Sequence, residues 1–147
     1  ACVAAVRARS FELAVTLDDA WTAASDRGGA PLTHDRDAWT PEHLLLAALA
    51  RCSLTSLLYH AGRAGLTALA HAGARGTVTA RAEDGRFAFV EIDVDAGLTL
   101  DPAPDGEAVR ALLAKAERDC SIAPGWAPRA LCASAARLWK YSLSSSE

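Results

Sequence analysis

Thr40-Pro41-Glu42-His43-Leu44-Leu45-Leu46-Ala47-Ala48-Leu49-Ala50-Arg51-Cys52 is the stretch on which the fold turns. Thr40 is a residue type that caps helices. Pro41 suits the first helical position, where a missing N–H costs nothing, and Glu42 suits the positive end of the helix dipole. A helix is therefore expected from here to about Gly62, with Gly62 and Gly65 ending it. Its middle, Leu44 to Ala50, is apolar all round, which predicts burial on most sides. Cys52 then lies about ten residues into a buried helix.

Upstream, Phe11, Leu13, Val15 and Leu17 alternate on one face with the period of a half-buried strand, and Val3 to Arg9 reads as another. Residues 18–39, rich in Asp, Gly, Arg and Ala, read as a long irregular connection. Downstream, Gly76 to Ala82 and Phe87 to Ala96 flank Asp84-Gly85, a tight-turn signal, and predict a hairpin. The apolar parity slips between Phe87/Phe89 and Val90/Ile92/Val94, as a β-bulge would produce. Asp105 is placed to cap a helix with the apolar stripe Val109, Leu112, Leu113 and Ala116, and Cys120 falls on that stripe at the helix end. Pro124, Gly125 and Pro128 exclude a long regular element, Arg137 to Leu143 reads as a last strand, and Ser144 to Glu147 as a frayed tail.

The chain has 147 residues, 51% of them hydrophobic, which is one domain's worth of core. A net charge of -3, with no basic block or Lys/Arg-rich helix face, argues against nucleic-acid and anionic-membrane partners. The longest apolar run, Leu44 to Ala50, falls far short of the ~20 residues that span a bilayer, and no signal-peptide pattern opens the chain. A soluble, cytoplasmic protein is expected, in which Cys2, Cys52, Cys120 and Cys132 are reduced or transiently paired.

Two thiols in two helices suggest a redox couple, although burial as a small hydrophobe is a common fate of free cysteine. A thiol with a pKa of ~8.5 is only a few per cent ionised at pH 7, and lowering it by two units takes about 2.7 kcal/mol. A guanidinium in a dry pocket can supply that, so an arginine is expected near Cys52. Arg51 adjoins Cys52 but points about 100° away on the helix. Arg36 and Arg27, in the segment before the helix, are better placed, with Arg36 preferred; Arg7 and Arg9 are further candidates. Glu42, ten residues before Cys52, sits roughly 15 Å away along the helix axis. It serves Cys52 only across a subunit interface or through an arginine; otherwise it simply favours the helix N-terminus. His34, His43, His60 and His71 lack metal-ligand spacing, so no metal is expected. Ser53 and Ser56 with His60 lack the nucleophile elbow of a hydrolase.

Three stretches together resemble the OsmC/Ohr family of small bacterial proteins, many of them thiol-dependent peroxidases: Trp39 to Cys52, Asp84 to Ile92, and Leu113 to Cys120. Their order and spacing match over roughly residues 1–122. The segment Ser121 to Trp126 and the extra Cys132 depart from the family pattern. The resemblance implies an α+β fold in a single OsmC-like domain, with antiparallel sheets packed on a buried central helix. It further implies an intertwined homodimer with two active sites at the interface.

In that framework Cys52 is the peroxidatic thiol, Cys120 the resolving thiol, and Glu42 the carboxylate that orients an activating arginine, Arg36 or Arg27. The implied reaction reduces an organic hydroperoxide through a Cys52 sulfenic acid and a Cys52–Cys120 disulfide, with a lipoyl-type dithiol as reductant and no cofactor. The residues also admit a non-catalytic dimer that binds a small apolar ligand, and a thiol redox sensor.

Overall fold

The computed structural model describes residues 11–17, 20–82, 84–122 and 139–143. Cys2, Arg7, Arg9, Cys132, the Val3–Arg9 strand and the tail Ser144–Glu147 lie outside them. The chain forms two compact units, Ala1–Pro41 and Glu42–Glu147.

The first unit is a three-stranded antiparallel sheet in the order β1 (Leu13–Leu17), β2 (Ala20–Ser25), β3 (Leu32–Asp35). Residues 18–39 were expected to be irregular, and β2 and β3 correct that. Trp21 and Ala23, alternating on β2, are buried, and the chain turns between the strands at Gly28 and Gly29, both at positive φ. Trp21 Nε1 donates to the Ala38 carbonyl at 2.9 Å, and the His34 ring stands between those of Trp21 and Trp39 at 5.4 and 5.7 Å. These contacts form the unit's small interior. Leu13, Val15, Leu17 and Leu32 share the face of Trp21 and Ala23 through their register, yet all four are exposed rather than half-buried.

The second unit opens with α1 (Pro41–Arg63), started by Pro41 as its sequence predicts. It ends in a Schellman pattern: Leu66 N–H reaches the Ala61 carbonyl, Gly65 N–H reaches that of Gly62, and Gly65 takes φ +74. Gly62 lies inside the helix rather than ending it. Leu66, pinned by that cap, packs into the main core cluster.

β4 (Thr67–Ala80) and β5 (Phe87–Asp101) make a long antiparallel hairpin, both strands extending well beyond the stretches read from sequence. Thr77 pairs with Glu91 and Val78 with Phe89, so Val90 is the extra residue of a bulge. The parity slip in the sequence thus marks a real irregularity. At the turn, Asp84 accepts from Arg86 N–H and Arg81 Nε, each at 3.1 Å, and Gly85 supplies the positive φ. The Asp84 carboxyl is held below its usual range, chiefly by the Arg86 N–H and then by Arg81 against some desolvation.

α2 (Gly106–Arg118) is capped by Asp105, whose carboxylate accepts from Ala108 N–H at 2.7 Å. β6 (Trp139–Leu143) joins β5 in parallel, so this sheet is mixed rather than wholly antiparallel. A parallel return needs a long crossover, and here it contains α2.

β5 alternates strictly: Ile92, Val94, Ala96, Leu98 and Leu100 are buried, while Asp93 and Asp95 face outward to Arg75. Leu98 and Leu100 join Leu57 and Ala61 of α1 and Val109, Leu112 and Ala116 of α2 in the main cluster. A second cluster gathers Leu49, Ile92 and Val94 with Leu45, Leu46, Ala74, Phe89 and Ile122. Cys52 lies on α1 between the residues committed to each cluster.

α1 is less buried than its apolarity suggested: Leu44, Leu58 and Tyr59 are exposed. Its full 23 residues are also long and apolar enough for a membrane span, unlike the shorter run counted from sequence. Within the protein, Leu57 and Ala61 pack in the main core cluster and Leu49 in the second, and most of the apolar window stays unburied.

Leu57→Ala should lower the unfolding free energy by about 2–5 kcal/mol and Asp105→Ala by about 1 kcal/mol, measured by urea denaturation at fixed protein concentration. A smaller cost for Leu57→Ala than for Asp105→Ala would contradict the assigned core.

Candidate active site

α1 carries Cys52 to the place where α2 ends. Asp119, the α2 C-cap, donates its N–H to the Lys115 carbonyl at 3.0 Å, and the chain then tightens so that Cys120 N–H points to Glu117 at 3.4 Å. Cys120 therefore sits just past the helix rather than at its end, with its side chain on the inner face. An unmade helical bond leaves the Ala116 carbonyl without an intrahelical partner, and Ser56 Oγ donates to it at 2.7 Å in a buried contact.

This geometry brings the two thiols together. Cys120 Sγ donates to Cys52 Sγ at 2.9 Å, and no disulfide joins them. Cys120 is fully buried and Cys52 only partly so. Ser121 Oγ is 3.7 Å from Cys52 Sγ. The sequence after Cys120 departs from the OsmC/Ohr pattern, yet a hydroxyl does reach the reactive sulfur from Ser121.

Burial works against the Cys52 thiolate, but donation from the Cys120 thiol, the Ile122 backbone, and the hydroxyl and backbone of Ser121 outweighs it. The Cys52 pKa lies below the ordinary thiol value. Two sulfurs this close carry a single charge between them, because a second ionisation would place like charges in contact. When one of the two ionises, the donors around Cys52 favour the charge there. Such a pair can attack an electrophile from the exposed sulfur and close a disulfide from the buried one.

The remaining candidates stand apart from this pair in the chain. Glu42 occupies the first turn of the same uninterrupted helix as Cys52, ten residues and roughly 15 Å of rise away. Arg27 and Arg36 belong to the first unit. Arg27 lies 3.8 Å from Asp26 and stands over the Phe11 ring at 5.1 Å. Arg36 is exposed on the turn closed by Ala38 N–H and the Asp35 carbonyl. The groups that lower the Cys52 pKa are all from residues 120–122; the sequence argument expected a guanidinium. Ser121 and the backbone at Ile122 escaped that argument, because nothing local marks a turn whose donors aim at another helix.

A second polar contact ties the helices together. His60 Nε2 lies 3.0 Å from Asp119 Oδ2, although its N–H is not aligned with that oxygen as a hydrogen bond requires. Arg118 holds the same carboxylate through Nε and Nη2 at 2.8 and 3.3 Å. Asp119 is held below the usual carboxylate range, first by Arg118 and to a smaller degree by His60, against some desolvation. No group of acidic, histidine or cysteine side chains suited to a metal ion occurs among the described residues.

The family model for OsmC-like proteins matches residues 33–124, a span that holds α1, the hairpin, α2 and both thiols. The chain belongs to the OsmC-like family. Solved structures share its fold at low identity. An OsmC-like protein from Mycoplasma pneumoniae has a TM-score of 0.69 at 16% identity, covering 92% of this chain and 95% of its own. The organic hydroperoxide resistance protein OhrB of Bacillus subtilis has a TM-score of 0.58 at 17% identity, with 92% and 98% covered. An OsmC-like protein of unknown function from Vibrio cholerae has a TM-score of 0.69 at 13% identity, with 93% and 100% covered. No curated protein sequence matches the chain. At these identities the structures establish the fold alone, and the chemistry of this family member has to be argued from its own residues.

Titration of thiolate absorbance near 240 nm should place the first ionisation below that of an unperturbed thiol. Cys120→Ala should move it upward and Ser121→Ala upward by less, since each removes a donor to Cys52. A midpoint unchanged in Cys120→Ala would show that the sulfur contact does not stabilise the thiolate.

Proposed function

We propose that the protein is a thiol-dependent peroxidase that reduces organic hydroperoxides to alcohols. The observation that carries this reading is the unequal pair itself: a partly exposed Cys52 with a lowered pKa, in contact with a buried Cys120. The naming of several structural neighbours for organic hydroperoxide resistance supports it.

The Cys52 thiolate attacks the terminal oxygen of the hydroperoxide, and the O–O bond breaks. The departing alkoxide takes a proton to become the alcohol, and Cys52 is left as a sulfenic acid. The Cys120 sulfur then attacks the Cys52 sulfur, the sulfenic oxygen leaves as water, and a disulfide forms. A lipoyl-type dithiol reduces that disulfide by thiol exchange and is itself oxidised.

The active form in this reading is a cytoplasmic homodimer. Exposed apolar side chains support it: Leu44, Leu58 and Tyr59 on α1, and Leu13, Val15, Leu17 and Leu32 on the first sheet, are faces a second copy would cover. The dimer also resolves the distance problem of Glu42. A carboxylate roughly 15 Å from its own Cys52 orients an arginine, Arg36 or Arg27, at a site shared between subunits.

Leu45, Leu46, Leu49, Phe89 and Ile122 form the apolar surroundings on one side of Cys52, which favours alkyl over hydrogen peroxide. An alkyl group burying ~100 Å² at ~25 cal/mol per Å² contributes about 2.5 kcal/mol, one to two orders of magnitude in kcat/KM. Peroxide consumption with a dithiol reductant should show that preference, and equal efficiency with both peroxides would sink it. Cys52→Ser should abolish turnover. Arg36→Ala should lower kcat/KM by about 100-fold, the scale for a lost charge-stabilising donor, and more than Arg27→Ala does.

A further inference from the structure

Cys52, Ser56 and His60 are spaced by four residues on α1, so they occupy successive turns of one face. Each meets the same short piece of chain. Cys52 touches Cys120 and Ser121, Ser56 holds the Ala116 carbonyl, and His60 faces the Asp119 carboxylate. Ser56 is buried and the His60 side chain is only 13% exposed, so water does not compete freely for either contact. Along a helix otherwise rich in Leu and Ala, this polar stripe has no packing rationale of its own.

The stripe has a geometric consequence. Ser56 donates to the Ala116 carbonyl, which a longer α2 would bond to Cys120 N–H, at the point where that N–H turns to Glu117 instead. His60 lies against the carboxylate of the C-cap residue that immediately precedes the thiol, which Arg118 also holds. From these contacts we infer that Ser56 and His60 are positioning residues for the disulfide-forming step. They hold the turn 116–121 so that the Cys120 sulfur stays against Cys52 before any oxidation occurs.

The value of such a clamp lies in competition. A Cys52 sulfenic acid either condenses with Cys120, releasing water, or meets a second hydroperoxide and becomes a sulfinic acid with release of another alcohol. Condensation is intramolecular, so its rate follows the fraction of time the buried thiol is in place. Attack on the first peroxide forms no bond to Cys120, so the clamp reaches that step only through the donations from residues 120–122 that favour the Cys52 thiolate. His60 and Ser56 therefore act on the branching between disulfide and sulfinic acid. This role rests on the peroxidase reading, but the thiol pairing it explains can be tested without peroxide.

The test compares wild type with His60→Ala, His60→Gln and Ser56→Ala, each checked for folding by circular dichroism. Rapid mixing with an alkyl hydroperoxide, quenching with a sulfenic-acid trap and mass spectrometry resolve the two steps. Sulfenic-acid formation should fall no further than it does in Cys120→Ala, while disulfide formation falls about tenfold or more in His60→Ala and the sulfinic fraction of Cys52 rises. His60→Gln, which keeps a donor toward Asp119, should recover much of the lost rate. In parallel, equilibration with glutathione buffers reports how effectively Cys120 pairs with Cys52. A tenfold loss there appears as a shift of about 30 mV. Disulfide formation and equilibrium pairing unchanged within twofold in both alanine variants would overturn the inference. A wild type inert to peroxide but with a clamp-dependent glutathione equilibrium would overturn the peroxidase reading alone.

Discussion

The contact between the end of α2 and the middle of α1 is the constraint on which the site depends. Ala116 belongs to the main core and is fully buried, yet its carbonyl is a strong acceptor that must find a donor. Ser56 provides it at 2.7 Å, on the turn of α1 just after Cys52. Apolar packing of Leu57, Ala61, Val109 and Leu112 brings the helices together, and this one directional bond sets their register. With the register set, Cys120 emerges where Cys52 already is. Non-directional burial alone would permit the helices to slide and separate the sulfurs.

Chemistry then follows from inequality of environment rather than from any unusual group. Two ordinary thiols in contact differ because one is sealed in the interior and the other opens toward solvent. The exposed sulfur accepts donations from the segment 120–122, which favours its anion. The buried sulfur is one of the donors. A lowered pKa obtained this way comes from residues 120–122 and needs no cationic neighbour.

Much of this was legible in the sequence where a local rule met a local structure. Thr40-Pro41-Glu42 announced α1, Asp105 announced α2, and the parity slip at Val90 announced a bulge that the register shows. The strands β2 and β3 were not legible, because Ala, Thr and Asp dilute the strand signal, and Gly28 and Gly29 read as looseness rather than as a turn. The position of Cys120 past the α2 cap was also hidden. No glycine or proline follows Gly106 before Cys120 to mark the stop, and the carbonyl left open there is met by a serine sixty residues earlier in the chain. Ser53, Ser56 and His60 read in the sequence as a group without the motif of a hydrolase; the four-residue steps from Cys52 to Ser56 to His60 are the more informative pattern. The arginine expected near Cys52 is not among the groups that lower its pKa, and spacing along one chain is blind to tertiary placement.

The central claim is that Cys52 and Cys120 of one chain form a reactive pair, and peptide mapping under non-reducing conditions after one equivalent of an alkyl hydroperoxide tests it most directly. The account predicts a single new species, two hydrogens lighter, whose only new cross-link joins the Cys52 and Cys120 peptides of the same subunit. Persistent Cys52 sulfenic or sulfinic acid beside a free Cys120 thiol, or a cross-link to Cys2 or Cys132 instead, would contradict it.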